Sequence, residues 1–138
     1  MKIIRFEDLT IWKLSLKITK LIYTLTSKQP FSKDFGLRDQ IRRAVVSTSS
    51  NIVEGFERNN NNEFIRYLKI SKGSVGEVRN QLFIASDVNY ISKEEFILIN
   101  NLLLDLSNQI GSLIVYLTRT RQLSKLSKLV NSQNSLTL

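Results

Sequence analysis

The sequence predicts an all-α protein, an up-down-up-down antiparallel four-helix bundle. Three observations carry that prediction. The 138 residues include only five Gly and one Pro, too few breakers for a sandwich or barrel, which turns every eight to twelve residues or so. Apolar residues recur in alternating steps of three and four along four stretches, the spacing that lines one helix face. Short polar segments join those stretches, and short connections make consecutive helices antiparallel neighbours. A chain of this length forms one ordinary domain and buries about 68% of the surface its unfolded form would expose, so its core needs no covalent staple.

The first helix is expected over about residues 8–27, with Ile11, Leu14, Ile18, Leu21 and Leu25 as its seam. Leu9, Trp12, Leu16 and Tyr23 make a second stripe on the same stretch. Two stripes call for two buried faces, and a second copy of the chain is the simplest cover for the extra one, with Trp12 and Leu16 as contacts. The segment from Ser27 to Ser32 holds the only Pro and breaks the pattern.

The second helix is expected over about 35–55, on Leu37, Ile41, Ala44, Thr48 and Asn51, with Gly55 as the left-handed residue that ends it. Thr48 and Asn51 are polar core positions. An unpaired amide there would cost about 1 to 3 kcal/mol, so Asn51 either sets the register through a hydrogen bond or meets a ligand.

Four consecutive Asn, 59–62, form a loop that ends in an N-cap, Asn60 ahead of Glu63. The third helix, expected over about 61–88, follows on Phe64, Leu68, Ser71, Val75, Val78, Leu82 and Ala85. Its register passes through Gly73 and Gly76. Each Gly costs about 1 kcal/mol relative to Ala inside a helix, so the pair marks either a tolerated weak spot or the close approach of another subunit's backbone.

Asn89 ends the third helix, and Ser92 with Glu95 makes a capping box for the fourth, expected over about 93–120 on Ile99, Leu102, Leu106, Ile110, Leu113 and Leu117. Residues 121–138 form a basic tail rich in Ser and Asn. Leu123, Leu126 and Leu129 prolong the helix by two turns, and beyond Val130 the chain is expected to fray.

Composition narrows the chemistry. The chain has no Cys and no His, which excludes disulfides, Cys or His zinc sites and the nucleophile systems built on imidazole. The expectation is a protein that is not an enzyme, with no catalytic residues, no cofactor and no metal. Glu54, Glu63 and Glu77 read as caps or ion-pair partners more naturally than as an all-oxygen metal site. No leader peptide or membrane span is evident, so a cytoplasmic location and no membrane partner are expected.

Charge points the other way, toward a partner. Twenty Lys and Arg stand against twelve Asp and Glu, a net +8, and such an excess favours polyanions. Pairs at i,i+4 (Asp34 with Arg38, Asp39 with Arg43, Glu54 with Arg58) absorb part of it. Arg38, Arg42 and Arg43 on the second helix and Lys69, Lys72 and Arg79 on the third are the candidate nucleic-acid contacts. Either they form a solvated face or they contact phosphates, by backbone charge and shape more than by base.

The run Gln40-Ile41-Arg42-Arg43-Ala44-Val45-Val46-Ser47-Thr48-Ser49-Ser50-Asn51-Ile52-Val53-Glu54-Gly55 resembles the signature of the bacterial 23S rRNA intervening-sequence proteins. Phe6-Glu7-Asp8-Leu9 with Trp12 is similar to that family's opening. Phe64 to Leu68, Gly73-Ser74, Glu77 and Gln81-Leu82 resemble its third helix. The resemblance spans about residues 5–118, with departures at Thr48, Ser71 and Gly76. It implies an up-down bundle assembled into a homopentameric ring. It also implies a nucleic-acid partner, RNA or DNA, or a protein partner such as a reverse transcriptase, as in the accessory subunits of diversity-generating retroelements. The alternative to nucleic-acid binding is therefore a scaffold that docks an acidic protein.

Overall fold

The computed structural model describes residues 3–136. Among them are four α-helices and no strand: α1, Thr10–Thr26; α2, Phe35–Glu57; α3, Asn61–Asp87; and α4, Lys93–Leu136. Each helix packs against its neighbours in sequence, and α1 closes the ring against α4. This is the antiparallel up-and-down bundle that the periodicity predicts.

The ends of the helices follow from local chemistry. A 3-10 turn at Phe6–Asp8 leads into α1. Its last turn is stopped by two hydroxyls that take backbone carbonyls: Thr26 Oγ1 donates to Ile22 O and Ser27 Oγ to Tyr23 O. Asp34 caps α2 by accepting from Leu37 N at 3.1 Å, and Asn60 caps α3 by accepting from Glu63 N at 3.1 Å. The capping box on α4 is complete, with Ser92 N donating to Glu95 Oε1 and Glu95 N to Ser92 Oγ. Left-handed backbone falls at Asn59 and Asn89, the residues that turn the chain after α2 and α3.

Gly55 is not the residue that ends α2, as its type and place predict. It lies two residues inside the helix, is buried, and has no positive φ. A Cβ there would stand 2.7 Å from Tyr67 Cβ and 3.1 Å from a ring carbon of Phe64. Gly55 is small because α3 passes against the α2 backbone at that point.

The core is a single aliphatic stack in which Ile18, Ile22, Ile41, Ile52, Leu68, Leu82, Leu103, Leu106 and Ile110 are fully buried. Phe31, in the connection between α1 and α2, is also fully buried and plugs one end beside Tyr90, with ring centroids 5.3 Å apart. Tyr90 donates its hydroxyl proton to Asp34 Oδ2 at 2.9 Å and so ties the two connections at that end together. That hydrogen bond, aided by partial desolvation, raises the Tyr90 pKa above its ordinary value.

Of the two polar core positions expected, Thr48 is buried and Asn51 is not. Asn51 lies at the edge and donates to Ser47 O at 2.8 Å and Ser47 Oγ at 3.0 Å, because Ile52 and not Asn51 fills the core position. The buried polar tie is made instead by Ser71, whose hydroxyl donates to Thr48 O at 2.7 Å across the α2–α3 seam. Thr48 itself is buried and returns its proton to Ala44 O.

The fraying expected beyond Val130 is not what the structure shows, since α4 runs to Leu136. No Gly or Pro interrupts residues 112–138, so no breaker stops the helix after its last core turn. No helix among the described residues is long and apolar enough to cross a membrane.

Candidate nucleic-acid interface

The six basic residues picked out by sequence divide into two groups. Arg38, Arg42 and Arg79 are engaged within the chain. Arg38 Nε donates to Asp39 Oδ1 at 2.9 Å and Nη1 to Ser32 O at 3.0 Å. Arg42 donates to Thr26 Oγ1 and Ser27 Oγ and lies over the Tyr23 ring at 4.6 Å, fastening α2 to the end of α1. Arg79 Nε donates to Asn100 Oδ1 at 3.0 Å, fastening α3 to α4. Arg43, Lys69 and Lys72 have no such partner among the described residues.

The ion pairs expected within helices explain part of this division. Glu54 and Arg58 meet at 2.8 Å. Asp34 serves as a cap and as the acceptor for Tyr90, so Arg38 turns to Asp39, and that leaves Arg43 without the acid four residues before it.

Arg43 stands beside two depressions. One, of about 560 Å³, lies between α1 and α2 and is lined by Tyr23, Asp39, Arg42, Val46 and Ser50. The other, of about 420 Å³, lies between α2 and α3 among Gln40, Ser47, Ser74, Glu77 and Gln81. There Ser47 Oγ and Ser74 Oγ are 3.0 Å apart, and the buried Gln81 Oε1 has no partner. Carboxylates border both places, which weakens their attraction for phosphate.

A third depression, of about 700 Å³, lies between α3 and α4 and has a different character. Lys72, Ser107, Asn108, Gly111, Ser112, Val115, Tyr116 and Arg119 line it, with no carboxylate among them. The Lys72 stem lies beside Gly111, where an added Cβ would make an ordinary 3.5 Å contact with Lys72 Cε. Tyr116 is 64% exposed at the rim. Two unpaired cations, three polar side chains and an exposed ring therefore share one open groove.

Sequence reasoning did not single out Tyr116 or Arg119. The fourth helix is close to neutral when charge is summed along it, but its acids, Glu94, Glu95 and Asp105, all precede Arg119. At 100° per residue, Asn108, Ser112, Val115 and Arg119 fall on the side opposite the core seam, a pattern that helical projection could have found.

The residues expected at a subunit contact are split as well. Trp12 is half-buried in its own chain, edge-on to Phe6 with centroids 5.3 Å apart, whereas Leu16 is exposed. Gly73 and Gly76 are exposed, and a Cβ at either would meet nothing within 4 Å. Nothing in the chain itself requires glycine there. As for metal, no three acidic side chains gather closely enough to hold an ion among the described residues.

A family model for the 23S rRNA-intervening sequence protein matches residues 7–112. No curated protein matches the chain at a significant level. Among solved structures, the chain is similar to a crystal structure of a protein of unknown function from the S23 ribosomal protein family of Bacteroides thetaiotaomicron VPI-5482. The TM-score is 0.70 at 25% identity, with 76% of this chain and 98% of that one covered.

Proposed function

The chain belongs to the 23S rRNA-intervening sequence protein family, and on that premise we propose that it is a non-enzymatic, self-associating, cytoplasmic protein that binds the backbone of nucleic acid. The observation that carries this reading is the acid-free groove between α3 and α4, with Lys72 and Arg119 unpaired and Tyr116 exposed. Ammonium and guanidinium groups neutralise phosphates, and an exposed ring offers a face for a base without selecting its sequence. Lys69 lies one turn before Lys72 and extends the positive edge. Beyond Asp105 the sequence carries four cations and no acid, so the field stays positive along the rest of α4.

Self-association multiplies these grooves on one particle. Leu16 and Tyr23 are exposed on α1, which also carries Lys13, Lys17 and Lys20 and has no acid. The family resemblance predicts five copies.

Titration of a labelled RNA by fluorescence anisotropy at several salt concentrations tests the proposal. Each neutralised phosphate adds about 0.7 to 0.9 to the slope of log K against log salt, so the Lys72→Ala/Arg119→Ala double variant should lose about 1.5 from that slope. Arg42→Ala should leave it nearly unchanged. Absence of binding by the full chain at about 50 mM salt, where electrostatic binding is strongest, would refute the proposal.

The exposed apolar carbon of Val115 and Tyr116 in the same groove favours a second reading. In it the groove docks an acidic protein, such as the reverse transcriptase partnered by retroelement accessory proteins. Recovery of one protein in fixed ratio after nuclease treatment, with no RNA binding by the pure chain, would decide for it.

A further inference from the structure

Four aromatic side chains stand exposed among the described residues: Tyr23, Phe35, Phe83 and Tyr116. Three of these rings are engaged within the chain. The Arg42 guanidinium lies over Tyr23 at 4.6 Å and that of Arg38 over Phe35 at 4.7 Å, while Phe83 meets Phe96 edge-on with centroids 4.7 Å apart. Tyr116 has neither a ring nor a cation against its faces among the described residues, and at 64% it is the most exposed of the four. A lone exposed ring needs no explanation in itself.

Its position in the groove between α3 and α4 singles it out. Lys72 Cε lies beside Gly111, and Arg119 follows Tyr116 by about one turn. At 1.5 Å per residue, the levels of Gly111 and Arg119 are about 12 Å apart along α4, and Tyr116 stands between them. No carboxylate lines the groove, and Ser107, Asn108 and Ser112 add short polar side chains. Leu117 is the last core side chain of α4. Beyond it Lys125 and Lys128 continue the line of the core side, and Leu123, Leu126 and Val130 face outward. No aromatic residue follows Tyr116 in the sequence.

We propose that this groove takes an unpaired strand, with one base stacked on Tyr116 and the phosphates on either side of it held by Lys72 and Arg119. The proposal rests on the nucleic-acid reading above and names the form of nucleic acid that the site selects. A base inside a duplex is covered on both faces by its neighbours, so it reaches an aromatic side chain only by leaving the stack, whereas the bases of a single strand turn out freely. Neighbouring helices in a bundle are about 8–10 Å apart, so the groove between them takes in one strand, and a duplex rests on its rims. There the duplex still offers phosphates to Lys72 and Arg119. Every base has a face to stack, so the contact chooses unpaired over paired and not one sequence over another. Lys125 and Lys128, with no ring beside them, serve the phosphates of either form.

Fluorescence anisotropy with three labelled probes of equal length tests the stacked base. They are an oligoadenylate strand, the same strand paired with oligouridylate, and an abasic strand that keeps the phosphates and lacks the bases. Stacking on one aromatic side chain is worth about fivefold or more in affinity, so the full chain should prefer the oligoadenylate to the abasic strand by about that factor. Tyr116→Ala should remove the preference and leave the affinities for the abasic strand and the duplex unchanged. Tyr116→Phe, which keeps the ring, should retain it. Lys72→Ala/Arg119→Ala should weaken all three probes together.

A full chain without the preference, or a preference that survives in Tyr116→Ala, would overturn the stacked base and leave phosphate binding standing. An equal loss on all three probes in Tyr116→Ala, with the circular dichroism of an intact bundle, would overturn it as well. No binding of any probe by the full chain would overturn both this proposal and the nucleic-acid reading on which it rests.

Discussion

Helix α3 meets its two neighbours in opposite ways. Toward α2 it is pressed close: Gly55 admits Tyr67 and Phe64 against the α2 backbone, and Ser71 bonds the Thr48 carbonyl across the seam. Toward α4, outside the shared core, long side chains make the contacts, with Lys72 beside Gly111 and Arg79 reaching Asn100. Around Gly55 and Ser71 the first seam is closed by these contacts. The second leaves an open groove in which Lys72 and Arg119 have no partner among the described residues. Glycine is thus required at Gly55, where α3 presses on the α2 backbone, and is not required at Gly111, where a Cβ would make an ordinary contact.

The largest break in that contrast should come from Gly55→Ala. The added methyl meets Tyr67 Cβ and the Phe64 backbone, groups that cannot swing aside, so overpacking outweighs the better helix propensity and costs about 2 kcal/mol net. Urea unfolding would show it. Ser71→Ala should cost about 1 kcal/mol by removing the one buried hydrogen bond that side chain makes between α2 and α3.

Gly73→Ala and Gly76→Ala should have the opposite sign. With nothing near the added methyl, each should raise the chain's stability by up to about 1 kcal/mol. If these glycines admit another subunit, the mass seen by light scattering should fall in the same variants. An unchanged mass would remove them from the subunit contact and sharpen the division between seams.

The smallest effect concerns the plugged end of the bundle. The Tyr90 pKa is raised in the folded chain by its bond to Asp34. Its contribution is therefore complete below the ordinary tyrosine value near 10 and is lost as pH rises through the higher folded value. Tyr90→Phe should lose stability at pH 8 and show a shallower decline between about pH 9 and 11. Thermal melts across that range would record the difference.

Much of the bundle was legible in the chain because helical periodicity and capping are local. The Ser92 and Glu95 box, the Asn60 cap and the turn at Asn89 depend on residues three or four apart. Gly55 was misread for the same reason: a glycine near the end of a helical run has a local meaning as a cap, and only Tyr67 arriving from α3 gives it another. Asn51 was misplaced by one position, since a strict three-four count cannot tell which of two adjacent residues, Asn51 or Ile52, faces inward. The groove residues Tyr116 and Arg119 were missed because charge was summed along α4 rather than around it.

By itself the sequence determined the all-helical bundle, the order and approximate ends of its elements, the exclusion of thiol and imidazole chemistry, and the family. These follow from composition and from short-range spacing. Only the tertiary structure decided which cations are engaged and which are free. That depends on whether an oxygen from another helix, such as Thr26 for Arg42 or Asn100 for Arg79, stands within hydrogen-bonding distance, and no spacing along one chain fixes it. Packing likewise ended the core at Leu117 and turned the apolar side of the remaining helix outward, because the core side is defined by where the other three helices stop.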